Sequence, residues 1–370
     1  MKRVLIFIPW FSPSFKAGGP VRSIENLLEN YSSNIEYYII CGNRDVDGTI
    51  VDHVEFNKWI SYGTHTKVWY KESNFSFQWY RTIFHAIKPT HTFIIGLFSW
   101  NFNLKPLLIL PKKNLILSAR GMLHPMALQQ KAFKKRILLS LFRSFNITDK
   151  IIFHATDITE KGYIENQFGH NNKIVVASNY PSLIKYAEPL NKSIGKIHLL
   201  THALISPMKN HLLILQSLML CKGEVVYDIV GAIKDKDYWN QCLKIITSLP
   251  SNISVQYHGE QSPKAIEHFL KNTHLLVLPS ESENYGHAII EGMYSGRPVI
   301  TSKNTPWNQL SENNAGFNVG FDVKEIAEKI NYFIEQNTAE YIEHTLAARK
   351  YADDKIDFNQ IHQQYDSLFA

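Results

Sequence analysis

Short apolar runs alternate with amphipathic helical stretches along most of the chain, and this alternation starts afresh near residue 196. Continuous apolar runs are the signature of parallel strands buried on both faces, and strands separated by helical patterns build βαβ units. In the first half such runs occur at VLIFIP, EYYIICG (36–42), THTFIIGL (90–97), NLILSAR (114–120), KIIFHAT (150–156) and KIVVAS (173–178). In the second half KIHLLTHA, EVVYDIVG, ISVQYHG, HLLVLPS (274–280) and RPVITS repeat the pattern, with helices predicted between them, one over His287–Tyr294. A chain of 370 residues exceeds one ordinary domain. The expected architecture is therefore α/β, two Rossmann-like doubly wound domains: 1–180 and 196–350. The polar, Pro-containing stretch 181–195 lacks periodicity and is read as the linker. An amphipathic pattern over 351–370 predicts a last helix, packed on the second domain or crossing back to the first.

Composition removes several classes. Cys41, Cys221 and Cys242 have neither disulfide-framework nor zinc spacing. The apolar N-terminal run is broken by Pro9 and lacks a small-residue cleavage site, so it reads as a buried first strand. No stretch reaches the roughly 18 to 20 apolar residues that cross a bilayer. These features predict a cytoplasmic protein. The net charge of +6 is uneven: residues 1–180 carry roughly ten more basic than acidic side chains, and the remainder roughly four more acidic. A basic half points to an anionic partner, and no nucleic-acid motif is present. The helix pattern KAFKKRILLSLFRSF (131–145) mixes that charge with apolar residues and suits an anionic membrane surface. Neither a Gly-x-Gly-x-x-Gly fingerprint, a P-loop nor a His-Glu-x-x-His zinc site occurs. Two Asp-x-Asp strings, Asp45–Asp47 and Asp235–Asp237, are read as solvated loops, and no metal is expected.

The most informative segment is PSESENYGHAIIEGMYSGRPVI, 279–300. A strand ends at Pro279, and open α/β sheets bind ligands outside the carboxyl ends of strands. The loop carries Glu283 and Gly286, and the helix after it carries Glu291. Amides at a helix start suit a phosphate, glycine admits close approach to the backbone, and carboxylates accept hydrogen bonds from sugar hydroxyls.

This segment resembles the family-four retaining glycosyltransferases of the GT-B fold. Glu283, Tyr285, Gly286, Glu291, Gly296, Arg297, Pro298, Val299 and Ile300 follow that family's order. The resemblance implies two domains facing each other across a cleft, with Glu283 on the donor sugar and Glu291 on the ribose. It implies that Asn284, Tyr285, Gly286, His287 and Ala288 line the donor. ISPMKNHLLILQSL (205–218) resembles the family segment whose lysine, here Lys209, holds the donor diphosphate. The family arginine expected five residues earlier is replaced by Leu204. Gly18 and Gly19 match the loop laid against donor phosphates and acceptor; Arg120 stands where relatives place a histidine over the transferred sugar, with His124 four residues on, and either suits the leaving phosphate or a sugar hydroxyl. FHATDITEKGY (153–163) resembles an interdomain strand and its Thr156–Thr159–Glu160 cluster, read mainly as helix capping.

The implied activity is transfer of a sugar from a nucleoside-diphosphate sugar to a hydroxyl of a glycan or lipid-linked glycan, with retention and without metal. Bacterial surface polysaccharide or lipopolysaccharide assembly at the inner face of the plasma membrane is the implied setting. The alternatives are a sugar-nucleotide epimerase, a glycan phosphorylase, or a silent binding subunit to which Leu204 points.

Overall fold

The computed structural model describes the chain apart from Ser32, Ser33, Gln130, Lys131, Leu183 and Lys185, and apart from the side chains of Phe15 and Met126. Lys131 of the basic helix pattern and Leu183 and Lys185 of the expected linker thus lie outside the described residues. Residues 1–180 with 358–370 form one unit, and 181–357 form the other.

The first unit runs β1 (Lys2–Phe7), α1 (Gly19–Asn30), β2 (Ile35–Gly42), β3 (Trp59–Tyr62), β4 (Thr66–Lys71), α2 (Phe77–Ile87), β5 (His91–Ile95), α3 (Lys105–Ile109), β6 (Leu115–Ser118), α4 (Pro125–Gln129), α5 (Ala132–Ser144), β7 (Ile152–Ala155), α6 (Ile158–Phe168) and β8 (Lys173–Val176). Its sheet order is β3-β4-β2-β1-β5-β6-β7-β8, parallel except for the β3–β4 hairpin. Val4 to Phe7, Phe93, Ile94 and Phe153 are wholly or almost wholly buried, as two-sided burial requires of their apolar runs.

The second unit runs β9 (Lys196–His202), α7 (His211–Leu218), β10 (Glu224–Val230), α8 (Lys236–Ile246), β11 (Ile253–Tyr257), α9 (Pro263–Asn272), β12 (Leu275–Leu278), α10 (His287–Tyr294), β13 (Val299–Ser302), β14 (Gly316–Val319), α11 (Val323–Ile334) and α12 (Thr338–Lys355). The sheet β11-β10-β9-β12-β13-β14 is parallel throughout.

Apart from the edge hairpin β3–β4, each sheet reverses its strand order once, between β1 and β5 in the first unit and between β9 and β12 in the second. Loops leaving neighbouring strands diverge there and open a crevice at their carboxyl ends, where open α/β sheets take ligands.

Two boundaries differ from the sequence expectation. The stretch 181–195 is not a free linker, because Lys192 is buried and donates to the carbonyls of Ser193, Ile334 and Gln336 at 2.9–3.3 Å. Burial holds its ammonium pKa down to about 8. The final amphipathic pattern also splits: α12 ends at Lys355 within the second unit, and only α13 (Phe358–Leu368) belongs to the first. There Tyr365 stacks on Tyr180 at 5.4 Å between centroids, and Phe369 on Tyr31 at 6.1 Å.

Candidate functional site

The loops leaving β9 and β12 meet at the switch point of the second unit. Buried Leu275–Leu278 carry the chain to Pro279, whose carbonyl accepts from Asn210 Nδ2 at 2.8 Å. The Glu281 amide donates to Met208 O at 2.8 Å, so each loop fixes the other. Across this junction Lys209 Nζ pairs with Glu283 Oε1, which also accepts from Ser280 Oγ at 2.7 Å. Both side chains are mostly buried, at 18% and 12% exposure, so the pair is poorly screened. Two residues predicted from separate motifs are thus one device.

Beyond Glu283 the chain turns at Gly286, φ 75°, a left-handed conformation that begins α10. A Cβ there would lie 3.1 Å from Trp307 Nε1 and from Ile289 Cδ1, so space as well as φ selects glycine. The Trp307 indole N–H donates to Tyr285 O at 2.5 Å, and its ring meets the Tyr285 ring at 5.5 Å. Tyr285 in turn packs on His287 at 4.8 Å, Ala288 is half-buried, and Asn284 is exposed. Glu291, one turn along α10, is 1% exposed; its Oε1 accepts from Ser182 Oγ at 2.9 Å, and Oε2 lies 3.9 Å from His202 Nδ1.

Helix caps mark this place. Ser76, Asp157, Asp235, Ser262, Asp322 and Asn337 cap α2, α6, α8, α9, α11 and α12 with side-chain oxygens. By contrast α1, α7 and α10 begin at Gly18, Asn210 and Gly286 without a side-chain cap. These are the helices that follow β1, β9 and β12, the strands beside the two switch points. In α7 the Tyr238 hydroxyl accepts from the Leu212 amide at 2.8 Å; otherwise a helix start left without a side-chain cap keeps amide donors and the positive end of its dipole for another acceptor.

In the first unit the predicted residues sit differently. Gly18 adopts φ 67°, and Gly19 is exposed with nothing within 4 Å of a would-be Cβ. Arg120, at φ 49°, turns its guanidinium inward to Asn179 Oδ1, beside Tyr365. The neighbouring His154 is wholly buried, bonded to Ser118 Oγ and Ala177 O at 2.8 Å each. Burial, and secondarily the Arg120 charge, lowers its pKa to about 3. His124 packs edge-on against Tyr163 at 5.4 Å. Glu160 is buried and accepts from the Gly121 amide at 2.5 Å and from the Thr156 amide and hydroxyl at 2.8 Å each. The cap of α6 is Asp157, so Glu160 instead ties the 118–124 loop to α6.

Three further readings change with the fold. Arg297 is wholly buried at the amino edge of the sheet, donating to Leu270 O at 2.8 Å and to Lys271 O and Glu188 O at 3.2 Å. It holds the end of α9, away from the 283–288 loop. Asp45 is buried rather than solvated, and Asp47 pairs with Lys16 at 2.8 Å, a contact that lowers its pKa. Asp235 caps α8. Among the described residues no group of three or more His, Cys, Asp or Glu is placed to hold a metal ion. Sequence reasoning missed Ser182, Ser280, Asn210 and Trp307; only Asn210, before a helical run, carried any signal.

Residues 184–354 match the family model for glycosyl transferases group 1. No curated protein sequence matches the chain. Among solved structures it is similar to a sucrose-phosphate synthase of Thermosynechococcus elongatus (TM-score 0.75, 12% identity, 100% and 98% of the two chains covered). It is also similar to Anabaena HepE solved with UDP-glucose (0.69, 16%, 99% and 99%) and to S. aureus TarM solved with fondaparinux, α-GlcNAc-glycerol and UDP (0.70, 15%, 100% and 100%). The chain has the GT-B fold of two parallel-sheet domains, and its second unit belongs to the group 1 glycosyl transferases.

Proposed function

We propose that the chain is a retaining glycosyltransferase that moves a sugar from a nucleoside-diphosphate donor to a hydroxyl of a glycan acceptor. The observation that carries this reading is the Lys209–Glu283 pair beside the uncapped start of α10, at the switch point of the second unit. A diphosphate is met there by an ammonium and by amides of the 284–288 segment, charge that suits a leaving group turning more negative. Glu283 holds Lys209 until the donor arrives and then accepts hydroxyls of the sugar; Glu291 takes the ribose. The anomeric C–O bond to the phosphate breaks, a new one forms to the acceptor oxygen on the same face, and the acceptor proton passes to the leaving phosphate. Because lysine and amides supply the positive charge, the reaction needs no divalent ion, and transfer persists in EDTA.

The first unit takes the acceptor. Its helix α5 exposes Phe133, Ile137 and Leu141, spaced one turn apart, and Phe145 just beyond its end is exposed too, while Leu139 and Phe142 are buried. With Lys134, Lys135, Arg136 and Arg143 on the same helix, this stripe suits an anionic bilayer and hence a lipid-linked acceptor in surface polysaccharide or lipopolysaccharide assembly at the inner membrane face. Among the described residues no helix is long and apolar enough to cross a membrane.

Thermal shift with UDP, GDP and other nucleoside diphosphates tests the donor site, since a ligand of the native state raises the midpoint. Product analysis follows with the nucleotide sugar that binds. A new glycosidic bond with retained configuration supports the proposal. An isomerised nucleotide sugar or phosphate-dependent glycan cleavage replaces it with an epimerase or a phosphorylase, and no nucleotide binding at all replaces it with a silent subunit. Glu291→Ala should weaken donor binding, whereas Glu283→Ala should chiefly lower turnover.

A further inference from the structure

The switch point of the first unit presents an exposed indole on a rigid loop. The chain leaves β5 at Ile95 and reaches α3 through a single π-helical turn, Trp100–Leu104. Turns of this kind are uncommon and cluster at functional places. This one is heavily bonded. Ser99 accepts from the Phe102 amide, and buried Asn103 accepts from the Ser99 amide at 2.9 Å and donates to Ile95 O at 2.7 Å. Tyr80 OH donates to Asn101 O at 2.6 Å, and Lys105 Nζ donates to Phe75 O at 2.7 Å. A loop held at so many points could bury its largest apolar side chain; instead Trp100 is 55% exposed.

The surroundings narrow the ligand. Lys105 Nζ lies over the Trp100 ring, 5.9 Å from its centroid, which leaves the exposed part of the indole for a guest. Phe77, 56% exposed, opens α2 two residues beyond Phe75, the residue that Lys105 holds. A planar aromatic flanked by an ammonium suits a ring with an apolar C–H face and hydroxyls at its rim. Indole and phenyl offer broad, flat area at low conformational cost. A lipid chain needs no flat ring, and the apolar stripe suited to a bilayer lies on α5.

We infer that Trp100, with Lys105 beside it, is a stacking platform for a pyranose of the acceptor glycan. This deepens the proposed function and rests on it, because it is the glycan-transfer reading that supplies a sugar to be bound here.

The test uses full-length protein labelled with 5-fluorotryptophan, the Trp100 signal being assigned with Trp100→Phe. Maltose, cellobiose and N,N′-diacetylchitobiose are titrated, followed by vesicles of anionic phospholipid. The inference expects at least one disaccharide to move the Trp100 signal saturably. It expects Trp100→Leu to weaken that sugar about tenfold, as judged by saturation transfer to the sugar protons, and Trp100→Phe to weaken it less. No shift with any of the three sugars, or unchanged binding in Trp100→Leu, overturns it. A Trp100 shift with vesicles and not with sugars assigns the ring to the membrane instead and equally overturns it. Nucleotide binding measured on the same samples separates the two readings. If a nucleoside diphosphate binds and Trp100 ignores sugars, only the platform fails; if no nucleotide binds, the proposed function fails first.

Discussion

The two switch points are built from the same topology with opposite chemistry. In the second unit the loops after β9 and β12 are joined by a largely buried ion pair, Lys209 with Glu283, and open onto helices without side-chain caps. In the first unit Arg120 and Glu160 turn inward, Arg120 to Asn179 and Glu160 to Gly121 and Thr156, and the loop after β5 exposes an indole. The strand order therefore fixes where the two loop sets lie, while their side chains fix the chemistry on offer: a charged pair in one unit, an exposed indole in the other.

The comparison can be broken most severely at Lys209. Removing the ammonium from a preorganised site costs ~3–4 kcal/mol of transition-state stabilisation, so Lys209→Ala should lower turnover about 10²–10³-fold. Steady-state rates check this, and wild-type turnover would remove the ionic half of the contrast. Next is Glu160→Ala, which leaves three donors without their acceptor and should cost ~3 kcal/mol of stability. Urea unfolding measures that loss, while nucleotide affinity, which the proposed function assigns to the second unit, should stay within about twofold; an equal loss of affinity would erase the division of labour.

A smaller effect concerns acid. Burial holds His154 of the first unit and His211 of the second near pKa 3, against an ordinary value of 6.5, with the Lys209 charge adding to the lowering at His211. Unfolded imidazoles take up protons from about pH 6.5 downward, while these two resist until about pH 3. The stability that they confer is intact above about pH 6.5 and falls through that window as pH drops, by up to ~1.4 kcal/mol per pH unit for each histidine. Denaturation at pH 7 and pH 5 should show both units weakened, and His211→Leu should make the slope shallower. Because both ring nitrogens of His211 are buried without a protein partner, the same variant should hold or gain up to ~1 kcal/mol at pH 7.

The smallest expected effect sharpens the ionic site. Leu204 is half-buried in the loop after β9, where the family resemblance implies an arginine. Leu204→Arg should tighten nucleoside-diphosphate binding several-fold, about 1 kcal/mol, by calorimetry at low salt, with less gain at high salt.

Much of the fold was legible beforehand because its strands are buried on both faces. The helix over His287–Tyr294 and the strand up to Leu278 stand where apolar periodicity and Gly286 place them. The β3–β4 hairpin did not show, since β3 is short and partly exposed and β4, though mostly buried, mixes Lys67 and Lys71 with aromatic residues instead of forming an apolar run. Of the site, Lys209, Glu283, Gly286 and Glu291 were named from motif order; Arg297, matched in the same motif but given no site role, lies at the opposite edge and holds the end of α9.

Local pattern alone determined the alternation of strand and helix, the restart near residue 196 and the candidate loops, since periodicity and glycine placement act over a few residues. Only the tertiary structure decided that Lys209 meets Glu283, that Arg120 and Glu160 face inward, and that α13 returns to the first unit. Those outcomes depend on strand order and on which carbonyls and amides need partners once water is excluded, and residues far apart in the chain supply them.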